Sequence, residues 1–481
     1  MSATRVCPSP FPAVTGRSNR GGGQRGGAPA RFPVIRRGGV AEASAPGFDR
    51  ADASADALAE WLESNGGGAV VRAKVGSRGR GLFALRDIRK GEVVISVPLS
   101  LCLTDVDSRP PYPGCPYSVT LAAAILTERD AGESSRWARY VASLPEEIVG
   151  YAGNRVGYDE AVIGAEVGGD EAVREELQTY AALVAGSHAA VGAWTARQWR
   201  WAMSAVHSRT FRVELERAGR KRRTARLLAP FADLLNHDSD PNLVCCEWDV
   251  ERAAGEESLA GEESLAGEES LAGEESLAGE ESLAEESLAG EESGVDDVDG
   301  FELVVRASRN IPKGREAIVS YGERSDVHFF LYYGFLPEPN PHNRAPLFRT
   351  LDEAAVWYER LCGDPPESEK AWARARADAV AAIDPRGGPG DEGEDGDGAT
   401  LAAAREAASL DVGENSTVDD RLLRLYSILS GDEDVAIAAI RLRASGVLRE
   451  GEDESEEGSS EAGALAARFR ERRRKLLKQI V

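Results

Sequence analysis

Histidine and cysteine are scarce in this chain. Five His (188, 207, 237, 328 and 342) and six Cys (7, 102, 115, 245, 246 and 362) occur among 481 residues. No CxxC pair is present and no Cys/His set has zinc spacing, so no metal is expected and the cysteines read as small core residues in a reducing compartment. Long apolar runs are also missing. Without a stretch of about 18 apolar residues, no membrane-crossing helix is expected. An excess of positive charge is absent too: the net charge is −24. That argues against a nucleic-acid binder, which must neutralise phosphates.

Acid itself is rare only at the start. Residues 1–45 hold seven Arg (5, 17, 20, 25, 31, 36 and 37) and one acidic residue, Glu42, amid Ser, Gly, Pro and Ala. Such a segment cannot build a core. Its composition fits an organelle transit peptide, with a plain disordered tail as the alternative. Pro and Gly would break an amphipathic helix, which favours the plastid over the mitochondrion; the cytoplasm is the remaining location.

Residues 56–64 read as a short helix ended by Gly66–Gly68. Gly-punctuated β-like runs follow at 69–75, 81–85 and 92–97. From 117 to about 228 the pattern is helical, with Leu121 and Ile125, then Trp199, Met203 and Val206, at helical spacing. Strand signals return at 243–250, 301–306 and 316–321, and helices dominate after about 344. In the last of them Leu465, Phe469, Leu476 and Ile480 form one apolar stripe, read as a packing face rather than a groove for a partner.

Between the strands at 243–250 and 301–306 lies a low-complexity block. GEESLA occurs five times over 255–284, followed by EESLA and GEES to 293. A six-residue period turns successive Leu onto different helix faces, so no amphipathic stripe results. Each Gly costs a helix about 1 kcal/mol relative to Ala. The block therefore reads as a solvated, disordered insertion, tolerated because loop-closure cost grows slowly with length. It carries 14 of the 81 acidic residues, which takes the remainder of the chain from −24 to −10. Polar stretches at 385–398 and 450–463 interrupt the C-terminal region in the same way.

Two segments carry chemistry. "FADLLNHDSDPN" (231–242) ends an apolar run in turn residues, yet Asn236 and His237 precede the turn proper and are not explained by it. "SYGERSDVHFFLYYGF" (320–335) holds two Tyr-Gly elements, which alone would pass for an aromatic core with Gly caps. "GSRGRG" (76–81) lacks the GK[ST] ending of a phosphate loop. His188 and His207 read as partly buried polar residues. The basic run 220–226 reads as a solvated segment, with guidance of an acidic partner as the alternative.

Five segments in order resemble the SET-domain protein methyltransferases, in the branch of plant Rubisco large-subunit lysine methyltransferase. "GRGLFALRDIRKGEVVISVP" looks like the opening SET strands and "SRWARYVASLP" (135–145) like part of that branch's helical insert. "WAMSAVHSRTF" (201–211), "FADLLNHDSDPN" and the Tyr321 stretch complete the series. The resemblance covers roughly residues 69–343 and extends, with less specificity, to the C-terminal helices. It implies an α+β fold: a β-rich SET core over 46–343, a helical insert at about 105–228, and an all-α substrate-binding domain over 344–481.

The resemblance also implies S-adenosylmethionine as methyl donor, no metal, and a protein-lysine acceptor. Arg78, Gly79, Arg80 and Gly81 match the first donor-binding loop, where Gly permits close backbone approach. Arg209 matches the Arg at the donor's carboxylate. Asn236 and His237 match the adenosyl contacts, and Asp233 stands just upstream, at the substrate channel. Tyr321 matches the catalytic Tyr. With an ordinary pKa near 10 it reads as an orienting group rather than a base. Tyr333, bordering the donor, and Phe335 match the aromatic wall of the channel.

Three positions depart from the branch. Asp326 stands where Asn is usual, His328 where an acid or amide is common, and Arg78 where some relatives carry an acid. The expected partner is a protein substrate, with Rubisco large subunit, aldolase or another plastid protein as candidates, met by a monomer that binds neither nucleic acid nor membrane. Two other readings stay open: histidine methylation on the same fold, and a donor-binding scaffold without catalysis.

Overall fold

The computed structural model describes residues 52–158, 160–167, 171–215, 223–253, 300–363, 369–383, 410–450 and 461–481. The Arg-rich first 45 residues, the GEESLA block, the stretch 385–398 and most of 450–463 lie outside the described residues.

The first helix, Ala53–Ser64, begins where Asp52 accepts from the Ser54 and Ala55 N–H groups. It buries Ala55, Leu58 and Leu62 on one face, against the strands that follow. Those strands form two sheets. In the first, 68–69, 93–98, 301–307 and 246–252 lie side by side, all antiparallel. In the second, 71–76, 79–84 and 316–319 are antiparallel, and 236–237 joins the edge in parallel with 316–319. The hairpin 71–84 turns through Ser77 and Arg78 alone, since Gly76 pairs with Gly79, whose φ of +85° suits glycine.

The helical insert contains Tyr117–Ala131, Ala138–Ser143, Tyr151–Arg155, Glu160–Val167, Glu171–Val191 and Ala196–Arg209. Ala196–Arg209 starts in a capping box between Thr195 and Gln198. It buries Trp199, Met203 and Val206 as their spacing predicts.

The structure departs from the sequence reading in two places. Residues 211–215 and 223–228 are antiparallel strands rather than helix, with 103–104 as a third member. The physical reason is a period of two: Val213 on one strand and Ala225 and Leu227 on the other point inward. Beyond residue 343 the expected all-α domain contains a small antiparallel sheet of 344–348, 410–413 and 417–418. Helices Leu351–Leu361, Glu369–Ile383, Asp420–Ser430 and Glu433–Glu450 accompany it.

Two hydrophobic cores result among the described residues. One runs from Ala55 to Tyr332 through the sheets and the insert; the other gathers residues from Ala345 onward. The last helix, Glu461–Lys478, serves both. Leu465, Ala466 and Phe469 belong to the first core, and Leu476, Leu477 and nearby Ile480 to the second. The apolar stripe read from the sequence is thus a packing face.

Candidate functional site

Parallel pairing sets the site. Asn236 lies beside Ile318 and His237 beside Val319, so the Asn–His segment runs next to the strand that leads into Tyr321. The two segments are then locked by side chains. The Tyr321 N–H donates to His237 Nδ1 at 3.0 Å, and the Tyr321 hydroxyl donates to the Leu235 carbonyl at 2.6 Å. With Nδ1 accepting, the ring proton sits on Nε2, which meets Ser239 Oγ at 2.8 Å. Burial pushes the His237 pKa down to about 4, so the ring is neutral. It stacks on Tyr321 and Phe329, with centroids 5.0 and 4.7 Å away.

Asn236 is oriented by two acceptors. Its Nδ2 donates to the Arg80 carbonyl at 3.0 Å and to Glu316 Oε1 at 2.8 Å, which leaves Oδ1 as the acceptor that faces outward from this pair of bonds. Gly81 makes room for that arrangement. A Cβ there would lie 2.5 Å from Asn236 Nδ2 and closer still to Glu316 Oε1. Arg78 closes the far side, paired with Asp238 and, at 3.1 Å, with Glu316. Arg80 turns away, to Asp52 at 3.2 Å and the Ser143 carbonyl at 2.7 Å. The first loop thus reaches the site through its backbone and glycines, while its arginines brace neighbouring segments.

Asp233 and Arg209 form the buried floor. Arg209 Nη1 donates to the Asp233 carbonyl at 2.8 Å, and Tyr140 donates its hydroxyl to Asp233 Oδ2 at 2.9 Å. Burial raises the Asp233 pKa, with Arg209 pulling the other way. Arg209 Nε and Asp233 Oδ1 are buried and have no hydrogen-bond partner among the described residues. Buried polar atoms are rarely left so. A guanidinium with a spare donor suits a carboxylate, and a carboxylate with a spare oxygen suits an ammonium or hydroxyl.

The wall is aromatic. Tyr321 lies 5.2 Å from Tyr333, and Phe329, Tyr333 and Phe335 sit within 5.2 to 6.2 Å of one another. Tyr333 ends a π-helix, Phe329–Tyr333, where the Gly334 N–H reaches back to the Phe329 carbonyl at 2.9 Å. Gly334 has a φ of +76°, and Gly150, at +81°, packs against this turn so closely that a Cβ on Gly150 would lie 2.6 Å from the Leu331 carbonyl oxygen. The widened turn places Tyr333 and Phe335 around Phe329 on the side of His237.

Comparison with known proteins adds to this geometry. The family description "SET domain" matches residues 79–269. The chain carries a SET domain. Its fold is the one seen in solved Rubisco large-subunit methyltransferase structures. The SET domain of LSMT bound to MeLysine and AdoHcy superposes with a TM-score of 0.56 at 17% identity, covering 90% of this chain and 91% of that one. Rubisco LSMT bound to AdoMet gives 0.51 at 16% identity, over 89% and 91%. At such identities the likeness is one of fold. Protein SET DOMAIN GROUP 40 of Arabidopsis thaliana is 24% identical over 282 residues, which span 55% of this chain. The chain matches about half of that relative's length, 52%.

In the fold, Tyr321, Tyr333, Phe335, Asn236, His237, Asp233 and Arg209 come together, and Gly81 joins them at the Asn236 edge. Arg78 and Arg80 sit at the periphery. Three contributors escape the sequence reading. Tyr140 and Phe329 lie inside the quoted motifs without a role of their own, and Glu316 is an acid five residues before Tyr321, on the same strand run. A carboxylate entering an otherwise apolar strand was the signal available for Glu316.

Proposed function

We propose that this chain is an S-adenosylmethionine-dependent protein-lysine N-methyltransferase acting on a non-histone protein of the plastid. One observation carries the reaction: parallel pairing sets the protonated Tyr321 hydroxyl on the Leu235 carbonyl, between an oriented Asn236 and the unsaturated Arg209–Asp233 pair. When bound, S-adenosylmethionine supplies a methyl group already activated on a sulfonium, so the protein's task is positioning, exclusion of water and management of one proton.

The residues present suit that task. Arg209 would hold the donor's carboxylate through its spare Nε–H, and Asn236 Oδ1 would accept from an N–H of the donor. The Gly79–Gly81 backbone leaves space at the same edge. The attacking amine must be neutral, although a lysine in water titrates near 10.4. A dry channel lined by Phe329, Tyr333 and Phe335 favours the uncharged form. Burial and then Tyr333 push the Tyr321 pKa upward, so its hydroxyl keeps its proton at neutral pH. Tyr321 therefore orients by hydrogen bonding and does not act as base.

The acid-poor, Arg-rich first 45 residues support the plastid assignment. The test is incubation of purified chain with methyl-labelled S-adenosylmethionine and a stromal extract, followed by sequencing of the labelled protein. Label on a lysine of a stromal protein is expected. Label on histidine, or none on protein, would overturn the proposal.

A further inference from the structure

The aromatic wall is carried by residues 326–337, and this segment is gripped from outside by the last helix, Glu461–Lys478. Phe469 stacks on Phe330 with ring centroids 4.6 Å apart and planes 7° from parallel. Arg472 Nε lies 2.8 Å from Asp326 Oδ2, and Arg472 Nη1 donates to the Pro337 carbonyl at 2.6 Å. One guanidinium thus holds the first and last residues of the segment that contains Phe329, Tyr333 and Phe335. Asp326 is only 2% exposed, and its second oxygen accepts from Asn340 Nδ2 at 2.8 Å. Stripping such a carboxylate of its cation leaves an uncompensated buried charge, a severe destabilisation.

We infer that Arg472 is a positioning residue for the acceptor channel: by bridging Asp326 and Pro337 it fixes the aromatic wall, and it ties that wall to the second core. The inference rests on the methyl-transfer reading of the site. The segment needs such support because a π-turn is a poor helix on its own, and here it runs straight into a left-handed glycine. Arg suits the place because a planar fork reaches carboxylate and carbonyl together; the point charge of Lys serves one of them well and the other weakly. The sequence hints at this only through Asp326, an acid at a position where the family usually has an amide.

The test uses the full chain and two readouts. The first is amide hydrogen exchange without ligand. Arg472→Met is expected to speed exchange within 326–337 by about tenfold while strands 246–252 and 301–307 keep their rates, with Arg472→Lys in between. The second is kinetics with S-adenosylmethionine and L-lysine amide as acceptor. In Arg472→Met the acceptor KM is expected to rise about fivefold, with donor Kd by calorimetry changed by less than about twofold. Unchanged exchange in 326–337, equal acceleration in all strands, or loss of donor affinity with an unmoved acceptor KM would each overturn the inference. If the unsubstituted chain does not methylate L-lysine amide, that result counts against the acceptor reading, and the exchange experiment alone decides the role of Arg472.

Discussion

Tyr321 has its hydroxyl committed to a backbone carbonyl and its backbone N–H committed to a histidine ring. Tyr321→Phe removes only the first bond. Turnover is expected to fall at least about tenfold, or about 1.4 kcal/mol in barrier, with donor affinity unchanged; steady-state kinetics beside calorimetry checks this, and unaltered turnover would remove the hydroxyl from the mechanism. Asn236→Ala should instead weaken donor binding by about 1–3 kcal/mol, because groups on both sides lose a partner. Titration of the same side chains gives a third prediction. The folded His237 pKa of about 4 lies below its ordinary 6.5, under burial with Asp238, Arg78 and His342 nearby. Its stabilising contribution is full above pH 6.5 and is lost as pH falls toward 4. Buried His328, facing Arg324 and His207, acts in the same direction. Asp326 opposes them. Burial raises its pKa from 3.8 to about 6 despite Arg472 and Asn340, with Glu414 and Glu338 adding to the rise, so its contribution is full below 3.8 and is lost as pH climbs through 6. Buried Asp233, its pKa likewise raised by burial, acts with Asp326. Asp326→Asn removes one opposing contribution, so the slope of melting temperature against pH between pH 4 and 6 should become more positive in the variant; an identical slope would contradict the assignment.

At the scale of elements, the hairpin 246–252/301–307 explains how a long insertion can be carried inside a SET core. Its register runs unbroken to Arg252 opposite Phe301, and the Ala253 N–H donates to the Gly300 carbonyl at 2.8 Å. The ladder is therefore closed before the GEESLA block begins. A chain with 255–293 replaced by a short Gly-Ser linker is expected to fold and to bind donor with unchanged affinity. Its melting temperature should stay within a few degrees, since closure entropy changes by only about 1–2 kcal/mol. Loss of donor binding in that variant, seen by calorimetry, would make the block a functional element. The π-turn is the opposite case, an element with no slack. Gly150 and Gly334 lie backbone to backbone against it, and the wall residues depend on that contact.

At the scale of the molecule, the last helix packs into both cores, and a single cooperative unfolding is the expected consequence. Phe469 is 2% exposed and stacks on Phe330 within the first core, while Leu476 and Leu477, two turns on, fill the second. Phe469→Ala is expected to cost about 3–5 kcal/mol. It should lower a single melting transition followed by both circular dichroism and Trp fluorescence. A change confined to part of the unfolding signal would show that the cores unfold separately. The same helix places Arg472 at the channel, so stability and acceptor handling share one element.

Sequence alone determined a good deal of this. Tyr321, Asn236, His237 and Arg209 could be named because each stands in a short run that resembles a segment of the SET-domain methyltransferases, and the runs follow one another in that family's order. The alternating and helical periods likewise placed the SET strands and the helix Ala196–Arg209, because burial on one face writes itself into spacing. What the sequence could not decide is whatever depends on partners far apart in the chain. The strands 211–215 and 223–228 were hidden because their period of two is short and its alternate positions are charged or polar; pairing with each other and with 103–104 selects the extended form. The roles of Glu316, Tyr140 and Arg472 depend on contacts across 80, 93 and 146 residues respectively. A single charged side chain carries no record of what it will meet; the packed tertiary structure supplies the partner, the burial and hence the role.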